Sequence, residues 1–224
     1  MTDRTTFNLK SRLNDDDAFE IGIDEAGRGP MFGRVYAAAV VLPLDGFKHE
    51  DMKDSKKFHS ENKIKSVAEY IKNNAIAWGI GWCSAEHIDK VNIRKATHHA
   101  MHQAVDQIID KMKIKDLEKI HLLIDGNDFT PMMRVYGNAS IVMKSTLIEG
   151  GDNKLTSIAA ASILAKVERD TYVDTLCNED PLLDERYGIR KNKGYGTKRH
   201  MDGIREYGIT KHHRKTFGLC KQFA

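Results

Sequence analysis

Apolar and polar positions change period several times along the chain, and those changes predict alternating strands and helices. Residues 19–23 (Phe-Glu-Ile-Gly-Ile) alternate, as a half-buried strand does. The run 35–42 is continuously apolar and closes at Pro43, which predicts a strand buried on both faces. Ser60 has the chemistry of a helix N-cap, with Ile64, Val67, Ala68 and Ile71 following at helical spacing. A further strand is predicted over 75–82. Ser84 is expected to cap a short helix through residue 89. Asn92 is expected to cap a longer one, with Ile93, Ala96, Ala100, Ala104 and Ile108 on one face. Short strands are predicted at 120–124 and 140–143. A long helix over about 155–175 carries Leu155, Ile158, Ala159, Ser162, Ile163 and Val167, and its Ala159-Ala160-Ala161-Ser162 stretch is small enough to lie close to a sheet. A last helix is predicted over 198–207. Strands interleaved with helices define an α/β layer fold.

Length and charge refine this picture. The 224 residues suffice for one full core with a small appended segment. No apolar run approaches the roughly 18 residues of a membrane span. The polar N-terminus lacks a signal-peptide core. Cys83, Cys177 and Cys220 are odd in number and far apart, which fits neither a disulfide framework nor a zinc site and points to a reducing, cytoplasmic location. The net charge of +3 is unevenly spread: from Arg190 to the end, ten Lys and Arg stand against Asp202 and Glu206, so that this end carries +8 and the rest −5. An acidic body with a basic end fits a metal site beside a polyanion-binding surface, although a solvated basic tail has the same composition. The expected organisation is a mobile leader over 1–17, including the solvated run Asp15-Asp16-Asp17, a catalytic domain over 18–190, and a basic helical segment over 191–224.

The chemistry concentrates at the end of the first strand. Asp24 and Glu25 are adjacent carboxylates, costly together unless a cation neutralises them. Gly27-Arg28-Gly29-Pro30 then breaks the strand, and bare backbone N–H groups with an arginine suit a phosphate or sugar. Asp125 ends a later strand, and Asp152 precedes the long helix. Ligands of α/β sheets gather at strand ends, so the four acids are expected to converge and hold two Mg²⁺ or Mn²⁺ ions, a device for cleaving phosphodiesters. Taken singly, Asp125-Gly126 also reads as a plain turn and Asp152 as a turn or cap acid. Asp170 competes for the fourth place but lies more than three turns into the helix; it is read as structural or supporting, ion-paired with Lys166 or Arg169. His98 and His102 share zinc-ligand spacing without an evident third ligand, and are read as packing or surface groups.

These residues resemble the ribonuclease HII family, the type 2 ribonucleases H. The resemblance rests on Asp24-Glu-Ala-Gly-Arg-Gly-Pro30, Asp54-Ser-Lys-Lys57, Leu123-Ile-Asp-Gly-Asn127, Gly151-Asp152, the run Ile158-Ala-Ala-Ala-Ser-Ile-Leu-Ala-Lys166 with Arg169-Asp170, Lys193-Gly-Tyr195, and His212-His-Arg214 with Phe217-Gly218. In order, they span about residues 19–220. The resemblance implies an RNase H-like fold with a mixed five-stranded sheet flanked by helices and a helical C-terminal extension. It implies a monomer that cuts the RNA strand of RNA–DNA hybrids and incises 5′ of ribonucleotides embedded in duplex DNA, leaving 3′-hydroxyl and 5′-phosphate ends and removing misincorporated ribonucleotides. By motif, Asp24, Glu25, Asp125 and Asp152 match the metal-binding carboxylates. Gly27, Arg28 and Gly29 match the turn that reads the ribose 2′-hydroxyl, Tyr195 the tyrosine stacked on the neighbouring sugar, and Lys56 a phosphate contact.

Three features depart from the family's pattern. Gly196 replaces a frequent proline after the tyrosine and is expected to loosen that loop. Met31-Phe-Gly-Arg34 is bulkier and more charged than usual, with Arg34 read as a surface charge. The leader has no assigned role, and neither terminus shows a clamp-docking motif. Two other functions are weaker. A catalytically silent nucleic-acid binder conflicts with the retention of all four acids. A mononucleotide loop at 27–30 lacks the lysine and hydroxyl of a P-loop.

Overall fold

The computed structural model describes residues 9–14, 18–52, 55, 58, 60–136 and 139–224. Its centre is a mixed five-stranded sheet in the order β3-β2-β1-β4-β7, as the resemblance implies. The strands are β1 (Phe19–Ala26), β2 (Val35–Val41), β3 (Ala77–Cys83), β4 (Ile120–Asp125) and β7 (Lys144–Ile148). β2 runs antiparallel to β1 and β3, whereas β1, β4 and β7 are mutually parallel neighbours.

Helices cover both faces. α3 (Ile93–Met112) lies on one, preceded by α2 (Ala85–Val91); α1 (Glu61–Asn74) and α4 (Thr156–Glu179) lie on the other. β2 is buried along its whole length because it is sandwiched between these layers. Ile21, Ile23, Val35, Ala37 and Ala39 pack with Ala96, Ala100, Ala104 and Ile108 of α3. Ala38 and Val40 pack with Ile64, Val67, Ala68 and Ile71 of α1 and with the alanines of α4. Two close approaches set the layer spacing. A Cβ at Gly81 would sit 1.9 Å from the Ala100 carbonyl oxygen, and one at Gly22 would sit 2.3 Å from the Ser157 backbone. The helices rest on bare strand backbone there.

The N-caps fall where the sequence places them: Ser60, Ser84 and Asn92 accept from the backbone N–H groups of Lys63, His87 and Lys95. The predicted strand at 140–143 is β6 (Ala139–Val142), which pairs with β5 (Met133–Tyr136) in a separate two-stranded ribbon. The fifth strand of the main sheet is β7. Periodicity missed it because a sheet-edge strand with one partner carries the exposed, polar start Lys144-Ser145-Thr146.

The chain end forms a third cluster. α5 (Leu182–Tyr187), α6 (Ile189–Asn192) and α7 (Lys198–Tyr207) pack Leu183, Tyr187, Ile189, Ile204 and Cys220 against Val173 and Cys177 of α4 and against Met31 and Phe32. The bulk at Met31-Phe32 therefore fills this core. Arg34 is not a plain surface charge either: its guanidinium lies 3.5 Å from the Trp82 ring and 4.5 Å from the Tyr172 ring. The leader, expected to be mobile, is tied down over its described part. Lys10 exchanges backbone bonds with Lys154 and Thr156 (2.9 and 3.0 Å), and Leu13 and Asn14 donate to Glu20. The run Asp15-Asp16-Asp17 lies outside the described residues.

Candidate active site

Three elements converge at the C-terminal ends of β1 and β4. The parallel register pairs Ile23 with Ile124, so Asp24 and Asp125 occupy the next step of neighbouring strands. Asp152 enters from a single 3-10 turn, Gly151–Asn153, just before α4. Oxygens of Asp24, Asp125 and Asp152 lie within 4.8 Å of one another, the one such acidic group among the described residues. Glu25 is not within that group. It follows Asp24 on β1 and meets Arg28 at 3.3 Å. It nonetheless lines the same cleft.

The cluster is held by short hydrogen bonds. The Glu25 N–H donates to Asp24 Oδ1 (2.7 Å), the Gly151 N–H to Asp125 Oδ1 (2.6 Å), and the Asn153 side-chain amide to Asp152 Oδ1 (2.8 Å). A Cβ at Gly151 would lie 2.6 Å from Ile158 and 3.4 Å from Asp125 Oδ1, so glycine permits this approach. Asp24 and Asp152 are buried. Burial, then the neighbouring carboxylates of Glu25 and Asp125, raise the Asp24 carboxyl well above its ordinary range, while a hydrogen bond from Ser162 and the Glu25 N–H oppose this. Ser162 is itself bonded to Ser55 (3.0 Å). Three hard oxygen donors, two of them buried, match what Mg²⁺ or Mn²⁺ requires.

The glycine turn forms the adjoining wall. Gly27 has a φ of +93°, and a Cβ there would sit 2.1 Å from Arg169 Nε. Arg214 lies beneath the turn, fully buried, and donates to the carbonyls of Gly27 (2.6 Å), Arg28 (3.0 Å), Pro30 (2.7 Å) and Gly33 (2.9 Å). Burial, with Arg169 nearby, pushes the Arg214 guanidinium down to about 9, still cationic at neutral pH. Arg169 donates to the carbonyls of Lys193 (2.8 Å) and Phe32 (3.4 Å). Tyr195 is half exposed, with its ring against Gly29. The aspartates 24 and 125, Glu25, the turn, Lys166 and Tyr195 line one cleft of about 420 Å³.

The other described candidates lie outside the acidic group. Asp170 stands outside the acidic group, paired with Lys166 at 2.8 Å. Lys56 lies outside the described residues. Gly196 does not leave the tyrosine loop untied: the Tyr195 N–H donates to Asn192 (2.9 Å), and the Tyr195 carbonyl accepts from Thr197 (2.8 Å). His98 and His102 meet the hydroxyl and carbonyl of Thr130. Arg214 and Arg169 were not legible as supports of the turn. Arg214 counted toward the family resemblance and toward the basic end, whose charge is partly consumed internally: Lys193 pairs with Asp174 (2.6 Å), and Lys198 and Arg205 pair with Asp202 (2.6 and 2.9 Å).

An acidic cluster at the ends of two parallel strands of this sheet, beside a backbone-lined cleft, defines a metal-dependent nuclease of the RNase H-like class. Solved structures share the fold. Ribonuclease H2 from Pyrococcus horikoshii OT3 superposes with a TM-score of 0.64 at 21% identity, covering 91% of this chain and 96% of that one. Bst-RNase HIII in complex with Mn²⁺ gives 0.67 at 18%, covering 92% and 69%. A sequence model of the family Ribonuclease HII matches residues 21–220. A ribonuclease HII from Parabacteroides distasonis is 48% identical over 203 residues, 91% of this chain and 92% of the relative. The chain belongs to the ribonuclease HII family. No helix among the described residues is long and apolar enough to cross a membrane.

Proposed function

We propose that the protein hydrolyses the RNA strand of RNA–DNA hybrids and incises 5′ of ribonucleotides embedded in duplex DNA, leaving 3′-hydroxyl and 5′-phosphate ends. The observation that carries this reading is the three-aspartate group, two of whose members, Asp24 and Asp125, line the same cleft as the Gly27–Gly29 turn and Tyr195. Asp24, Glu25, Asp125 and Asp152 would hold divalent metal, Mg²⁺ or Mn²⁺, with the three aspartates as its closest group and Glu25 lining the same cleft. When bound, two such ions supply an activated water and charge stabilisation at the leaving oxygen.

The protein's own groups do the recognition. Because Arg214 occupies the inner carbonyls of the turn, the turn keeps one conformation, with its outer backbone edge toward the cleft. That edge is suited to the ribose 2′-hydroxyl, which both donates and accepts. The Tyr195 ring stacks on the next sugar and favours deoxyribose, where a hydroxyl would crowd it. Arg28 sits at the cleft mouth with Glu25, Lys56 contacts phosphate, and Asp170 supports Lys166. Residues 191–224 help bind the duplex. The biological outcome is removal of misincorporated ribonucleotides in the cytoplasm by a monomer.

The test is incision of a labelled duplex containing one ribonucleotide, beside a matched hybrid, with Mg²⁺, Mn²⁺ or EDTA. The expected result is a single metal-dependent cut 5′ of the ribonucleotide and cleavage of the hybrid. Cleavage of the hybrid alone would remove junction reading. Cleavage undiminished in EDTA would remove the metal assignment.

A further inference from the structure

Two buried histidines behind Tyr195 are not used by the chemistry above. His213 precedes Arg214 in sequence; both it and His200 of α7 are essentially inaccessible. The Thr210 backbone N–H points at His213 Nδ1 (3.0 Å), so that nitrogen accepts and carries no proton. The neutral ring then carries its proton on Nε2, which faces His200 Nε2 at 3.1 Å. His200 Nε2 must therefore accept, its own proton sits on Nδ1, and Nδ1 donates to the Tyr195 carbonyl at 3.0 Å. One distribution of protons satisfies all three contacts, and it runs in one direction, from Thr210 to Tyr195. Each ring lies among aromatic neighbours: Tyr187 edges against both, and Phe32 edges against His213 at 5.1 Å. Burial pushes both imidazoles below their ordinary value, His213 to about 3. A second proton would set two N–H groups face to face.

The chain ends on the residue proposed to stack on the sugar. Its origin adjoins the residue that holds the other wall of the cleft, because Arg214 binds three carbonyls of the glycine turn and that of Gly33. The ring of Tyr195 also rests over Gly29 of that turn. The separation of turn and tyrosine is thus fixed from one two-residue anchor, 213–214.

We propose that His200 and His213 are positioning residues for junction recognition, forming a fixed-tautomer hydrogen-bond chain that holds Tyr195 in register with the Gly27–Gly29 turn. This rests on the reading that Tyr195 and the turn contact the sugars on either side of the junction. It adds to that reading two residues that touch neither substrate nor metal. Displacing Tyr195 hurts a substrate that offers a single ribonucleotide, because only one register of the duplex is productive there. A uniform hybrid offers many ribose positions and tolerates the displacement.

The experiment compares kcat/KM on an embedded single ribonucleotide with kcat/KM on a uniform hybrid for wild type, Tyr195→Ala, His200→Phe and His200→Asn. Phenylalanine keeps the bulk and removes the donor, whereas asparagine keeps an amide N–H near the place of Nδ1. His200→Phe is expected to lower the ratio by about tenfold or more, as a misplacement of an ångström or less does, with His200→Asn recovering most of it. Tyr195→Ala is expected to lower it at least as far. If Tyr195→Ala lowers the ratio and His200→Phe does not, the junction reading stands and the positioning chain is overturned. If Tyr195→Ala leaves the ratio unchanged, the reading itself fails and takes the chain with it. An equal fall on both substrates for His200→Phe means a merely structural role. Nitrogen-15 NMR of the unmodified protein needs no variant to fold. It should find His200 protonated at Nδ1 and His213 at Nε2, and the opposite tautomer at His200 overturns the proposal.

Discussion

Replacing Asp24 by asparagine separates the electrostatic cost of the site from its use. In the metal-free protein Asp24 is buried, and oxygens of Asp125 and Asp152 lie within 4.8 Å. Two full charges at that distance repel by about 3 kcal/mol at an effective dielectric of 20. Asp24 escapes part of this by holding its proton, which is why its carboxyl titrates above the ordinary range. Asparagine has the same shape, still accepts from the Glu25 N–H, and can donate to Ser162. In EDTA at neutral pH, Asp24→Asn is therefore expected to stabilise the fold by about 2 kcal/mol, or about 4–8 °C in Tm for a chain of this size. The sign with pH follows from the raised value. A carboxyl whose folded pKa is raised contributes stability below its unfolded value, and that contribution is lost as pH rises through the folded value. The advantage of asparagine should then vanish near pH 4 and grow above it.

Divalent metal reverses the order. Wild type gains about 2.7 kcal/mol when Mg²⁺ stands at about 100 times its Kd, while the variant gains little. Melting curves of both proteins in EDTA and in Mg²⁺ should cross, with hybrid cleavage lost only in the variant. Equal melting temperatures in EDTA at neutral pH would refute the electrostatic argument, and an equal Mg²⁺ shift in both proteins would refute the assignment of Asp24 as a ligand.

Three other outcomes are expected. Gly22→Ala forces α4 off β1, since the new Cβ would sit 2.3 Å from the Ser157 backbone; a loss of about 1–3 kcal/mol in urea unfolding and reduced cleavage should follow, and an unchanged midpoint would contradict that packing. Arg214→Lys leaves at least two buried carbonyls of the glycine turn without a donor, which should cost about 2–4 kcal/mol and lower cleavage; a midpoint within experimental error of wild type would contradict the cradle. His213 titrates low because it is buried, so the native state binds fewer protons than the unfolded one below about pH 6.5, and stability should fall with pH from there toward 3; His213→Phe should lessen that slope by at most about 1.4 kcal/mol per pH unit, and an unaltered slope would place the titration elsewhere.

What could be read from the sequence, and what could not, follows from the range of the interactions involved. The caps at Ser60, Ser84 and Asn92 are local, one side chain bonding to its own helix, and they occur where the pattern places them. Asp24 and Asp125 were legible as neighbours because both end strands, and strand ends of an α/β sheet meet at one edge. β7 was not legible, because its pairing with β4 is a tertiary property and its first three residues, Lys144-Ser145-Thr146, are polar. Glu25, next to Asp24 on β1, lines the same cleft but stands outside the three-aspartate group, a placement set by tertiary geometry rather than by adjacency.

The basic end shows the same limit in a sharper form. Net charge predicts a surface for phosphate, yet the arginine most important to the cleft, Arg214, is fully buried and faces carbonyls. Composition cannot distinguish a cation that meets solvent from one that replaces it. Here Met31 and Phe32 pack with the C-terminal segment, and Arg214 supplies donors to the carbonyls on the inner side of the glycine turn. A turn whose outer edge must meet a sugar needs its inner edge occupied by the protein. Arg214 satisfies three of those carbonyls and that of Gly33 at once, with five donors on one planar group, which lysine cannot match. The bulk at Met31-Phe32, a departure from the family pattern in the sequence, packs in the core beside this buried cation, and the Met31 carbonyl accepts from the Arg214 N–H (2.8 Å).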